Sequence, residues 1–344
     1  MSLPTAARSF PISLAVLVTA LLLVAHGANA QPAAAPASVK VVLAVDGLTV
    51  VRNLPVLLAQ NLGYFKDEGL EVSFMETSAD AKVDAMLADG RVAGMVAYYH
   101  HTVVAQAEGR ACEAVITMAV TPGYELLIAN QLKGSVDSLA GLKGKRIIAG
   151  GPHSAKSTVA NWLVLHAGYQ LADYTRLAPT DKVKIAESLR KGEADFVIAP
   201  EPDATFYRTQ GVASLFADIY SVAGTRQSLG SIFPSTVLYL STPYAQAHPD
   251  LAQHLVNAFA RALKFINTHT PAEITALVPQ MMTGENKEPG VIEQGVKMFA
   301  TDGLMPDDAA KMEISVLSAL FPEYAKVRVA DTYTNEFISH ALGK

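Results

Sequence analysis

Two stretches of alternating apolar and polar residues set the pattern for this chain. Lys40 to Val45 is a short, β-branched apolar run that stops at the polar loop Asp46 to Arg52, and a run bounded in this way predicts a buried strand. Leu54, Leu57, Leu58 and Leu62 then recur at helical spacing. Asn53 is placed to cap that helix, and Pro55 falls in its first turn, where a missing N–H costs nothing. Gly63 closes the helix, because only a residue without Cβ enters the left-handed region cheaply. Leu70, Val72 and Phe74 alternate with polar residues and predict the next strand. The unit is β–loop–α–β. Sheets built from such crossovers bind ligands beyond the carboxyl ends of their strands, so Asp46 to Asn53 is the first candidate binding loop.

The same pattern returns later. Lys145 to Gly151 repeats the first strand, and a helix from Thr158 ends at Gly168-Tyr169 as the first ends at Gly63-Tyr64. Gly168 stands 105 residues after Gly63, as Lys145 does after Lys40. A second match pairs helix 81–89, Gly90 and strand 92–97 with helix 183–191, Gly192 and strand 194–199, at a spacing of 102. A period near 100 is too long for a solenoid and suits two related lobes. If the lobes face one another, loops 46–53, 98–102, 152–158 and 200–203 line one cleft, and lobe interfaces are preferred ligand sites. Glu125 to Ala129 and Thr236 to Leu240 read as further apolar strands. Beyond Pro249 the pattern is helical, with Leu251, Leu255, Phe259 and Leu263 on one stripe. Helices near 271–282, 289–302, 306–319 and 331–342 are expected to wrap the first lobe.

Composition narrows the class. The chain has 344 residues, half of them hydrophobic, with a formal charge of −5 and no basic block that would argue for nucleic acid. Arg8, the apolar run Ile12 to Ala25 and Ala28-Asn29-Ala30 form a secretory leader, cleaved after Ala30. The run is shorter than the roughly 20 residues a span needs. Gln31 to Ala37 is then a Pro/Ala linker. Cys112 is the single cysteine, so an internal disulfide is excluded, and its apolar neighbours mark it as a buried small hydrophobe.

Candidate chemistry concentrates in the four loops. Gly150-Gly151-Pro152-His153-Ser154-Ala155-Lys156-Ser157 nearly matches a P-loop but has Ala155 where that pattern needs glycine. Its physics survives without nucleotide. A Gly-rich turn entering a helix presents N–H groups and a positive dipole end, to which Ser154, Ser157 and Thr158 add hydroxyls and Lys156 a charge. The competing reading is a plainly capped helix with a solvated lysine. Arg52, with Asn53, Thr49 and Asp46 beside it, suits a bidentate contact to a carboxylate or sulfonate; the bland reading is an arginine bonded to its own loop. Tyr98, Tyr99 and His100 end a strand, where a ring can stack on a planar ligand. His100 and His101 diverge on a regular element, and His153 and His166 lack useful spacing, so no metal site is expected. Glu201-Pro202 ends the strand 196–199, with Glu201 either a ligand contact or a helix cap. No cofactor is implied.

A resemblance begins at these residues. The stretch NLGYFKDEGLEVSF, residues 61 to 74, with the signature GYFKDEGLEV, resembles bacterial periplasmic solute-binding proteins of the nitrate/sulfonate/taurine type, related to pyrimidine-precursor binders. The likeness covers roughly residues 40 to 270. It implies an α/β, two-lobed periplasmic-binding-protein fold, type II-like, each lobe a mixed or parallel sheet flanked by helices, with two hinge crossings at strands 125–129 and 236–240. The expected division is 1–30 leader, 31–38 linker, 39–128 plus 236–344 first lobe, and 129–235 second lobe. In that family a Glu-Pro pair commonly ends the strand corresponding to 196–199. The resemblance further implies a periplasmic, monomeric capture subunit working with an ABC permease and its ATPase. A small organic anion, sulfonate or carboxylate, is the expected ligand, with a nitrogen heterocycle such as a thiamine pyrimidine precursor as the alternative. Enzymatic relatives of this fold carry a cysteine-rich motif that one cysteine cannot supply, so no catalysis is expected; a periplasmic sensor of the same form remains the third reading.

Overall fold

A β-branched run with no polar residue on either face must be covered on both sides, and this is how strands 94–98, 196–199 and 236–241 sit in the computed structural model, which describes residues 38–77, 81–152, 154–279 and 290–344. Ser38–Lys344 forms a single compact unit. The strands are β1 Val39–Val45, β2 Leu70–Glu76, β3 Gly94–Tyr98, β4 Cys112–Thr117, β5 Tyr124–Ala129, β6 Arg146–Ile148, β7 Thr175–Leu177, β8 Phe196–Ala199, β9 Ala213–Ile219 and β10 Thr236–Ser241. They make two five-stranded sheets, ordered β2-β1-β3-β10-β4 and β7-β6-β8-β5-β9.

The two orders are one topology used twice. In each sheet the first three strands run parallel, with register Val41↔Val72 in the first and Ile147↔Arg176 in the second. The fourth strand is antiparallel: β10 against β3 with Thr236↔Tyr98, and β5 against β8 with Glu125↔Ala199. The sequence repeat therefore corresponds to two lobes of a mixed α/β fold. Strands β4, β7 and β9 were not legible as a pattern, since each is short or paired on one side only.

The chain crosses between sheets twice, between β4 and β5 and again before β10. The crossings are tied together: Phe233 N–H donates to Val120 O at 3.0 Å, Ser235 N–H to Ala119 O at 2.9 Å, and Ser235 Oγ to Thr121 O at 2.5 Å. β5 pairs only within the second sheet, so the first crossing lies at 118–123, ahead of the expected division at 128/129. The reason is local: Tyr124 already exchanges register with Ile219 of β9.

Helix Pro249–Thr268 covers the first sheet with the stripe read from sequence, burying Leu255, Phe259 and Leu263, and the Phe259 ring meets Phe65 edge-on at 5.3 Å. The second sheet is covered by helix Ala155–His166, whose Trp162 packs on Phe233 and donates to Leu229 O at 3.0 Å. The later helices do not all serve the first lobe. In helix Asp307–Leu320, Ala310, Ile314 and Leu317 join Tyr99 and Tyr239 against the first sheet, whereas Val316 joins the core of Trp162 and Phe196. That helix has two apolar faces, one for each lobe, which a single-stripe reading misses. The leader and linker, His153, and the expected helix stretch through 280–289 lie outside the described residues.

Candidate functional site

The carboxyl ends of β1, β3, β6 and β8 face a common cavity of about 490 Å³. All four loops singled out from sequence reach this cleft: Asp46 and Arg52 from the first, Tyr98, His100 and His101 from the second, Ser154 and Lys156 from the third, Asp203 from the fourth. A second cavity of about 350 Å³ lies toward the hinge and shares Arg52, Tyr98, Tyr124, Lys156 and Asp203 with the first. Between them the Tyr98 and Tyr124 hydroxyls hydrogen-bond at 2.9 Å, one phenol from each sheet.

The first loop is held by its own side chains. Asn53, fully buried, donates to Asp46 O and Gly47 O at 2.8 Å each. It was expected to cap helix Leu54–Asn61, but its side chain makes no cap bond; the turn Val51–Asn53 runs into the helix instead, and the amide points back into the loop. Asn53→Ala is expected to cost about 1–2 kcal/mol of stability in urea unfolding, since a fully buried amide loses both bonds that brace the loop and the Gly47 carbonyl loses its donor. Arg52 donates through Nη2 to Asp46 O at 2.7 Å and to its carboxylate at 2.9 Å, and stacks 4.9 Å from the Tyr98 ring centroid. Burial disfavours the Arg52 charge, and Tyr98, Asp46 and Tyr124 together more than offset this. Arg52 Nε is buried with no partner among the described residues.

At the second loop the two imidazoles lie 4.0 Å apart. Burial, with the neighbouring His101, drives His100 well below the ordinary histidine range; burial and the Arg52 charge push His101 down to about 4. Both rings are neutral at pH 7 and supply hydrogen-bonding, not charge. Tyr98 and His100 border the cavity, but Tyr99 does not: side chains alternate across β3, and the Tyr99 hydroxyl meets Thr332 Oγ1 at 2.5 Å on the far side of the sheet.

The third loop is a capped helix start. Gly150 takes φ 72°, and a Cβ there would stand 2.9 Å from Ser154 Oγ. Ser154 Oγ accepts from Ser157 N–H, the cap expected of a serine at that position. Ser157 and Thr158 turn inward. Ser157 Oγ accepts from Arg176 Nη1 at 3.1 Å, and Thr158 Oγ1 bonds Ser154 O at 3.4 Å, so neither hydroxyl faces the cleft. Lys156 does face it, and it borders both cavities. Burial lowers the Lys156 ammonium below the ordinary lysine range, against the pull of Asp203.

Glu201 borders the hinge-side cavity, but its carboxylate is occupied: Oε1 accepts from Arg208 Nη2 at 2.9 Å and from Thr205 Oγ1 at 3.0 Å, and Oε2 from Thr205 N–H at 3.1 Å. Arg208 also pairs with Glu125, which burial raises to about 7, with Glu201 and Asp218 adding and Arg208 opposing. Thr49 borders neither cavity. The lining residues that the sequence reading passed over include His101, Tyr124, Thr180, Asp203 and Tyr207 in the larger cavity and Tyr220 in the smaller. Asp203 had a usable signal, its place in the loop after β8. Tyr207 and Tyr220 had none, because nothing in their local sequence says which way they turn.

Three comparisons bear on this arrangement. A solved structure from Bordetella bronchiseptica RB50 superposes with a TM-score of 0.71 at 27% identity, covering 89% of this chain and 98% of that one. The periplasmic aliphatic sulphonate binding protein SsuA from Escherichia coli gives 0.65 at 14% identity, covering 85% and 95%, a likeness of fold. Among curated proteins, the 4-amino-5-hydroxymethyl-2-methylpyrimidine phosphate synthase THI13 of Saccharomyces cerevisiae is 25% identical over 222 residues, 62% of this chain and 63% of the enzyme, so the match spans a little under two thirds of that protein. The family model described as NMT1/THI5 like matches residues 52–274, from the arginine of the first loop through the helix that covers the first sheet, and the chain belongs to that family.

Proposed function

We propose that this chain is the solute-binding component of an ABC importer, capturing a small organic acid in the cleft between its lobes and doing no chemistry on it. One observation carries the reading: a cation from each lobe, Arg52 and Lys156, reaches the same cavity, flanked by Tyr98, Tyr124 and two neutral imidazoles. An acidic group placed between the lobes would take charge-assisted hydrogen bonds from both, and an aromatic body would find ring faces beside it. Closure about the paired crossings would seal the ligand, and the closed form is what a permease and its ATPase would meet. The leader expected at residues 1–30 supports a periplasmic setting for this event, and the proposed working form is a monomer.

The test is a thermal-shift screen of the mature chain over sulfonates, aromatic carboxylates, nitrate and pyrimidines. A ligand at one hundred times its Kd should add about 2.7 kcal/mol of stability. Lys156→Ala should weaken any acid found in this way by about 1–2 kcal/mol, the range of a hydrogen bond to a charged group at a half-open site. Stabilisation by nitrogen heterocycles alone would replace the acid with the heterocycle as ligand. A second reading, a synthase like the yeast relative, is favoured by matches to curated proteins of that name. Turnover of a bound solute by the purified chain would establish it. Cys112, the single cysteine, is buried in β4 and does not border the cleft.

A further inference from the structure

The first lobe brings its cation already neutralised, since Arg52 is ion-paired to Asp46. The second lobe brings a pair of another kind. Lys156 and Asp203 both border both cavities, and among the described residues neither side chain makes a hydrogen bond or an ion pair. They act on each other through space: burial lifts the Asp203 carboxyl while Lys156 and Lys182 oppose the rise. Lys182 does not border the cleft and sits over the Phe206 ring at 5.2 Å. Counting charged side chains around the larger cavity gives Arg52 and Lys156 against Asp46 and Asp203, because the imidazoles are neutral.

A bare anion entering this site would set three negative groups against two positive ones in a partly desolvated space, where like charges repel strongly. An acid that also carries an N–H donor removes the conflict, with its acidic group toward Lys156 and its donor on the Asp203 carboxylate. We propose that Asp203 is the specificity-determining residue of the cleft, selecting small acids that carry an N–H donor a few bonds from the acidic group and rejecting plain anions of the same size. This rests on the reading of the cleft as a ligand site for acids.

The experiment compares matched probes on the mature chain by calorimetry: 3-aminobenzoate against benzoate, and 2-aminoethanesulfonate against ethanesulfonate. At least one amino acid of a pair should bind about tenfold to a hundredfold more tightly than its des-amino partner, the span of a charge-assisted hydrogen bond. Asp203→Asn should shrink that preference to under about threefold and tighten binding of the plain acid several-fold, as repulsion is removed. Asp203→Ser is the second variant, should the asparagine melt early. Equal affinities within both pairs in the wild type would overturn the inference while leaving the acid reading in place. A preference that survives in both variants would take the role from Asp203. No binding by any of the four probes, with heterocycles binding instead, would overturn the acid reading and this inference together.

Discussion

Glu313→Gln is expected to raise the unfolding free energy by about 3 kcal/mol at pH 7 and to change it little near pH 4.5. Glu313 lies fully buried on helix Asp307–Leu320, and both its carboxylate oxygens lack a hydrogen-bond partner among the described residues. Burial raises its pKa from 4.5 to about 8. The sign follows from comparing states. Below pH 4.5 the group is protonated folded or unfolded, and its contribution is intact. As pH rises toward 8, the unfolded chain releases the proton while the folded chain holds it, and stability falls by about 1.4 kcal/mol per pH unit until the folded group ionises as well. Glutamine has nearly the same shape and nothing to ionise, so the variant should lose this slope. Urea unfolding of both proteins at pH 4.5, 6, 7 and 8 measures it. A stability difference that stays constant across that range would show that Glu313 titrates normally. Nothing in the structure explains why a carboxyl stands at this position.

Arg52→Ala is expected to weaken an acidic ligand by about 2–3 kcal/mol, more than the loss of Lys156, for two reasons that act together. The variant removes a donor whose Nε lacks a partner among the described residues, and it leaves the Asp46 carboxylate uncompensated beside the same cavity. Adding Asp46→Asn to Arg52→Ala should recover part of the loss, since the second reason then vanishes. Arg52→Lys should fall between, keeping charge but not the planar fork that stacks on Tyr98. Calorimetry with the best acid from the stabilisation screen measures all four proteins. A loss smaller than about threefold for Arg52→Ala would mean the arginine only braces its own loop.

The strands that carry the site were legible because, toward their carboxyl ends, burial on both faces leaves no polar position to disguise them. Val41–Val45 and Phe196–Ala199 read as unbroken apolar runs. Helix Pro249–Thr268 was legible for the complementary reason, that one exposed face forces a stripe. Strand β7, three residues long, and the two-faced helix Asp307–Leu320 were not, because neither length nor a single stripe marks them. Within the site, the loops were found but the direction of individual side chains was not. Asn53 bonds back into its loop, Tyr99 lies on the far side of the sheet, Ser157 turns to Arg176 and Thr158 turns into its own helix.

Sequence alone determined that the chain is duplicated, where its parallel strands end and which loops follow them, because periodicity and glycine placement are local properties of the backbone. Only the tertiary structure decided which charges meet. Arg52 is neutralised by its neighbour Asp46, Glu201 is consumed by Arg208, and Asp203 is left beside Lys156 on the second lobe's side of the cleft. Pairing between charges depends on how each loop turns and which way each side chain points, and, for Arg208 and Glu125, on a helix packing against a distant strand; residue type and spacing along the chain do not encode those directions.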